Sequence, residues 1–204
     1  MPKRYIITLM AANRVGIMAA VTTALAELGG DLLEVSQTVL QKFFTIILAA
    51  EFPEHRPPEV IVDHIRGVCS PYGIEVSLKD PDAEPTQPDD AWVGTERYVL
   101  TVSGADKPGV IREISARLAQ EGIDITDLYA VRSRGDGSFV MVMELAVPSG
   151  VDAVAVRRDV EALGVSGGLS AALQHENIFT ATNDPRPVRV AAQALAARRS
   201  AADE

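Results

Sequence analysis

The chain says the same thing twice, and that repeat limits its fold more than any other feature. The stretch "NRVGIMAAVTTALAELGGD" begins at Asn13, and "DKPGVIREISARLAQEGID" begins 93 positions later at Asp106. At this offset Arg4 and Tyr5 meet Arg97 and Tyr98, Gly16 meets Gly109, Leu25 meets Leu118, Gly29 meets Gly122 and Asp31 meets Asp124. Farther along the offset becomes 95: Phe44 meets Phe139, Pro53 meets Pro148, Gly73 meets Gly168 and Leu78 meets Leu173. The change falls where "QK" at Gln41 is replaced by the longer "RGDG" at Arg134. A hairpin turn is expected there, and turns tolerate changes of length. Two copies of one small domain follow, over residues 1–79 and 97–178.

The residues between them, Asp80 to Glu96, hold three prolines, six acids and no base. That composition resists a packed core and predicts a semi-rigid linker. Trp92, the single tryptophan, lies in it and reads either as an anchor onto a domain surface or as a partner contact. Residues 179–204 form a tail whose alanine-rich end, from Pro187, predicts a short helix, either a fraying terminus or a docking arm.

Each copy shows the same order of elements. "RYIITLM" from Arg4 predicts a strand, and Ile17, Val21, Leu25 and Leu28 recur at helical spacing. Gly29-Gly30 ends that helix, because glycine takes left-handed angles freely. "LLEVSQTVL" from Leu32 and "FFTIILAAEF" from Phe43 predict two further strands. Pro57-Pro58 opens a second helix with Val60, Ile61, His64, Ile65 and Val68 on its buried stripe, and "GIEVSLK" closes the unit. The second copy repeats this from Arg97 to Gln174. The fold class is therefore α+β: two ferredoxin-like βαββαβ units in tandem, each an antiparallel sheet with both helices on one face. "FFTIILAA" and "FVMVMELAV" are apolar at nearly every position, so the other sheet face should also be covered, by the sister copy or by a second chain in a homodimer.

Composition narrows the function. A formal charge of -9 disfavours direct binding to nucleic acid. Cys69 is the single cysteine and suits a reducing compartment. "MPKRYIITLM" alternates like a strand rather than an export signal, and no apolar run approaches a membrane span. A cytoplasmic protein is expected. His55, His64 and His175 show no metal-ligand spacing, Cys69 has no triad-like context, and no phosphate loop or dinucleotide fingerprint appears. Neither metal, cofactor nor catalytic residue is expected. "RGD" at Arg134 reads as part of a hairpin turn, with Asp136-Gly137 supplying the positive angles.

The repeated phrase, set between the first two strands of a βαββαβ unit, resembles the ACT domain. The second copy carries the pattern at Asp106, Pro108, Gly109, Val110, Gly122 and Asp124. The first carries it at Asn13, Gly16, Ile17, Gly29 and Asp31, with Val15 where proline is usual. Two such units without a catalytic domain resemble the glycine cleavage system transcriptional repressor group. The resemblance implies a sensor of small molecules, commonly amino acids.

The physics of the phrase agrees. A glycine turn running into a helix presents free N–H groups and the positive end of the helix dipole, which attract a carboxylate. The candidate ligand contacts are therefore the backbone at Gly16, Ile17 and Met18 and at Gly109, Val110 and Ile111, approached past Pro108. Asn13 and Asp106 stand just before the helix as candidates for an amino group, and equally as helix caps. Asp31 and Asp124 open the second strand, where the resemblance implies a polar contact to a ligand held by a neighbouring domain. Ala11 replaces a side chain that is polar in some amino-acid-binding relatives. The reading is a non-enzymatic regulatory protein that signals through a transcription factor or enzyme partner. The alternative is a regulatory or accessory subunit of a metabolic enzyme.

Overall fold

In a computed structural model, residues 2–83, 93–105, 108–132 and 138–182 are described. The chain divides into two compact units, Met1–Pro88 and Asp89–Glu204. The first contains β1 (Lys3–Ala12), α1 (Ile17–Glu27), β2 (Asp31–Leu40), β3 (Phe43–Phe52), α2 (Pro58–Val68), a short 3-10 turn (Ser70–Tyr72) and β4 (Glu75–Lys79). Its antiparallel sheet has the order β2-β3-β1-β4. The second contains β5 (Thr95–Ala105), α3 (Val110–Gln120), β6 (Asp124–Arg132), β7 (Ser138–Pro148), α4 (Ala153–Ser166), β8 (Leu169–His175) and α5 (Glu176–Thr182). Its order, β6-β7-β5-β8, is the same. Both units are the expected ferredoxin-like fold.

Strand alternation and helical periodicity meet in one core per unit. Tyr5, Ile7, Leu9 and Ala11 of β1 and Phe44, Ile46, Leu48, Ala50 and Phe52 of β3 face the helices. Ile17, Val21, Leu25 and Leu28 come down from α1, and Ile61 and Ile65 from α2. The second core repeats this with Leu100, Val102, Met141, Met143 and Leu145 beneath Ile114, Leu118, Val156 and Val160. Gly29 ends α1 at φ 72, and the N–H groups of Gly29 and Gly30 donate to the carbonyls of Ala26 and Leu25. Val60 does not belong to the buried stripe of α2. It is 45% exposed, because it lies on the flank of the helix away from Ile61 and Ile65. His64 lies at the boundary, with Nε2 at 2.8 Å from Glu27 Oε2.

Both sheets carry an irregularity that the sequence does not announce. The β2–β3 register shifts between Leu32 and Glu34, and the β6–β7 register between Ile125 and Asp127. Each inserts one extra residue, Leu33 or Thr126, at matching places in the repeat. Gln41 takes φ 56 in the two-residue turn joining β2 to β3. Strands β6 and β7 are antiparallel neighbours, as a hairpin requires, but the expected turn at Arg134 to Gly137 lies outside the described residues.

The sheet faces turned away from the helices differ. In the second unit Val99, Glu144 and Ala146 lie on that face and are buried. α5 packs against β5 and β8, and Glu176 reaches Arg97 on the same face. In the first unit Met10, Leu40 and Phe43 are exposed there, and so is Ile47, half of whose surface is open. All ten residues of edge strand β2 are exposed.

Candidate functional site

The glycine turn is built twice with nearly the same backbone. Gly16 stands at the N-cap of α1 with φ 98 and ψ -10, and Gly109 at the N-cap of α3 with φ 96 and ψ -8. An L side chain is strained at such angles, so the repeated glycine has a backbone reason. Each glycine carbonyl accepts the first helical hydrogen bond, from Ala20 at 3.0 Å and from Glu113 at 2.9 Å. The amides that follow point out of the helix end, in the arrangement that attracts an anion.

The structure assigns the predicted residues different parts. Ile17 and Val110 are buried with their side chains in the core, so only their backbones can face a ligand. Met18 packs partly against the first core, while Ile111 is exposed. Asn13 is not a helix cap. It stands three positions before the cap residue Gly16, and its own N–H donates to the Lys42 carbonyl at 2.8 Å, extending the β1–β3 ladder. Pro108 is exposed beside Gly109, and Asp106 lies outside the described residues. Asp31 and Asp124 are exposed at the starts of β2 and β6, each beyond the far end of its helix. An eleven-residue helix spans about 16 Å. Within one domain, then, the aspartate and the glycine turn do not come together.

Three residues at the turns were not singled out by the sequence. Tyr72, from the turn after α2, lies over Gly16: a Cβ built on Gly16 would overlap the tyrosine hydroxyl oxygen. Arg14 of the same loop donates to the Pro71 carbonyl at 3.4 Å, tying the loop to the tyrosine segment. At Gly109 such a Cβ would meet Oε1 of Glu113, at 3.9 Å, and nothing nearer among the described residues. Glu113 is an acid in the first turn of α3, where α1 has none. An anion at the second turn therefore meets the helix dipole and a resident carboxylate together. The repeat itself carried the first signal, since Tyr72 aligns with Gly167.

Among the described residues, no group of three or more His, Cys, Asp or Glu side chains could hold a metal ion, and no helix is long and apolar enough to cross a membrane. Cys69 is buried, and burial pushes its thiol pKa up. Among the described residues, the buried charged side chain is Glu144 on β7, 5% exposed. Its Oε2 accepts from Arg97 at 2.9 Å, and Oε1 is buried with no hydrogen-bond partner among the described residues. Burial raises its pKa above the ordinary range against the opposing pull of Arg97.

Comparison with known proteins agrees with this geometry. The ACT domain family matches residues 3–77 and again residues 98–161. A UPF0237 protein of Methanosarcina acetivorans is 34% identical over 80 residues, which is 39% of this chain and 87% of the relative. Its counterpart in Methanosarcina mazei is 35% identical over 81 residues, 39% of this chain and 88% of that protein. Two solved structures share the fold over both halves. A protein of unknown function from Galdieria sulphuraria has a TM-score of 0.71 at 19% identity, covering 86% of this chain and 99% of its own. A protein proposed to be a glycine cleavage system transcriptional repressor has a TM-score of 0.59 at 16% identity, covering 85% and 97%. An ACT domain implies regulatory binding of a small ligand. The duplicated fold, the two left-handed glycine turns and the family matches over both halves lead to one assignment: the chain belongs to the ACT domain family, with two ACT domains in tandem, and over one domain's length it is related to the UPF0237 proteins.

Proposed function

We propose that this chain is a non-enzymatic regulatory protein of the cytoplasm that binds an amino acid and transmits its presence by changing a protein–protein contact. The observation that carries the reading is the glycine turn at Gly109, where no described residue other than Glu113 comes near the backbone entering α3 on the side a Cβ would take. The ligand carboxylate meets the amides of Gly109 to Ile111. Its ammonium is met by Asp106 or by Asp124 of an adjoining domain. A homodimer supplies such a domain and covers the apolar surface of the first unit. The net charge of -9 favours action on transcription through a partner rather than on DNA itself. The fold shared with the proposed glycine cleavage repressor supports control of amino-acid metabolism as the setting.

A thermal-shift screen across the standard amino acids tests the binding. A ligand at 100 times its dissociation constant adds about 2.7 kcal/mol and raises the melting temperature by several degrees. Affinity purification then identifies the receiver. A transcription factor that co-purifies supports the reading, whereas a metabolic enzyme supports a regulatory subunit. If no amino acid shifts the melting temperature at millimolar concentration, the sensor reading is wrong.

A further inference from the structure

The two glycine turns have the same backbone but not the same cover. At Gly16 the space that a side chain would enter is taken by the Tyr72 hydroxyl, on a ring packed partly against the first core. At Gly109, among the described residues, that space is free out to Glu113 Oε1 at 3.9 Å. The residue aligned with Tyr72 is Gly167, which has no side chain to send over the turn. The tyrosine is anchored from two directions, since its ring rests on the core and Arg14 holds the neighbouring Pro71 carbonyl.

We propose that Tyr72 is a built-in occupant of the first domain's turn, so that of the two turns only the one at Gly109 admits a ligand. This rests on the amino-acid reading above and adds a stoichiometry to it: one ligand per chain, two per dimer. A bound carboxylate must come within hydrogen-bond distance of the amides after the glycine, about 2.9 Å. With the Tyr72 hydroxyl standing where a Gly16 Cβ would be, that approach is closed. The first domain then serves as a fixed scaffold and the second as the responsive one.

Nuclear magnetic resonance on the full chain, labelled with nitrogen-15, tests the assignment. The standard amino acids are the probes, each added at millimolar concentration. In the parent protein the amides of Gly109 to Ile111 should shift while those of Gly16 to Met18 stay still. Tyr72→Ala should make the first set respond as well, and Tyr72→Phe, which removes the hydroxyl but keeps the ring, should give a smaller response than Tyr72→Ala. Tyr72→Leu keeps an apolar contact with the core and replaces the alanine variant if that one fails to fold. Shifts at Gly16 to Met18 in the parent, or no gain in a folded Tyr72→Ala or Tyr72→Leu protein, overturn the role of Tyr72 but leave the sensor reading standing. No shift at either turn with any amino acid overturns both.

Discussion

Arg97 joins Glu144 to Glu176: its guanidinium lies 2.9 Å from the first carboxylate and 3.4 Å from the second, linking β7 to the helix that follows β8. Glu144 is the more buried partner, and Asp127 and Glu176 add negative charge beside it. Desolvation is the largest cause of its raised pKa, followed by the opposing pull of Arg97. The native state thus holds this proton more tightly than the unfolded chain does. The resulting stability is fully present below the ordinary value of 4.5 and is lost as pH rises through the raised native value. Urea unfolding of the parent and of Glu144→Gln across this range should show the parent losing ground to the variant with rising pH, at no more than about 1.4 kcal/mol per pH unit. Parallel curves would remove Glu144 as the titrating group.

Glu113 stands at the mouth of the open turn. Its carboxylate opposes an incoming anion and favours the helix dipole in the ligand's absence. Glu113→Gln should tighten binding of an amino acid by about two- to fivefold, which corresponds to roughly 0.3–1 kcal/mol. It should lower the melting temperature of the unliganded protein slightly. Calorimetry and thermal unfolding on the same preparation measure both, and weaker binding would mean that Glu113 touches the ligand's ammonium instead.

Gly16 and Gly109 share their backbone angles but differ in what surrounds them. Alanine at Gly109 carries the left-handed penalty alone, about 1–2 kcal/mol. Alanine at Gly16 carries that penalty and also displaces Tyr72. Chemical denaturation should therefore rank Gly16→Ala as the more destabilised variant. In a Tyr72→Ala background the gap should close. Equal costs in the parent would mean that the tyrosine moves aside freely.

Phe43 is 55% exposed and shares its sheet face with Met10, Ile47 and Leu40, the last on edge strand β2, whose residues are all exposed. Unpaired strand edges and apolar patches favour association. Sedimentation should find a dimer. Ile47→Glu should weaken it at least tenfold, or about 1.4 kcal/mol, without altering the fold. A monomeric parent at micromolar concentration would refute the homodimer.

Much of the fold was legible because burial alternates cleanly. In β3 every second residue from Phe44 to Phe52 faces the helices, and a helix with Ile17, Val21, Leu25 and Leu28 has only one way to lie on them. The glycine turns were legible because positive backbone angles favour one residue type. Less could be read of what covers them. Asn13 looked like a helix cap because asparagine before a helix usually is one, yet the cap position falls three residues later and the asparagine amide serves the sheet. Tyr72 is 56 positions from Gly16 in the chain, and only the folded path of α2 brings its ring there. The burial of Glu144 depends likewise on partners from β5 and α5, which a strand pattern does not contain.

The bulges at Leu33 and Thr126 mark where recombination between the halves stays in frame. From Arg4 to Leu33 the two copies align without a gap, and the two-residue difference enters only at the β-hairpin beyond. A chimera crossed over before either bulge keeps every side chain on its own side of the sheet. One crossed over between the bulge and the hairpin takes the donor's turn along with the end of its second strand and the third strand. Exchange of α1 for α3 with their leading turns would then leave Tyr72 behind, so that the turn at Gly109 takes the covered place and the turn at Gly16 the place whose counterpart of Tyr72 is Gly167.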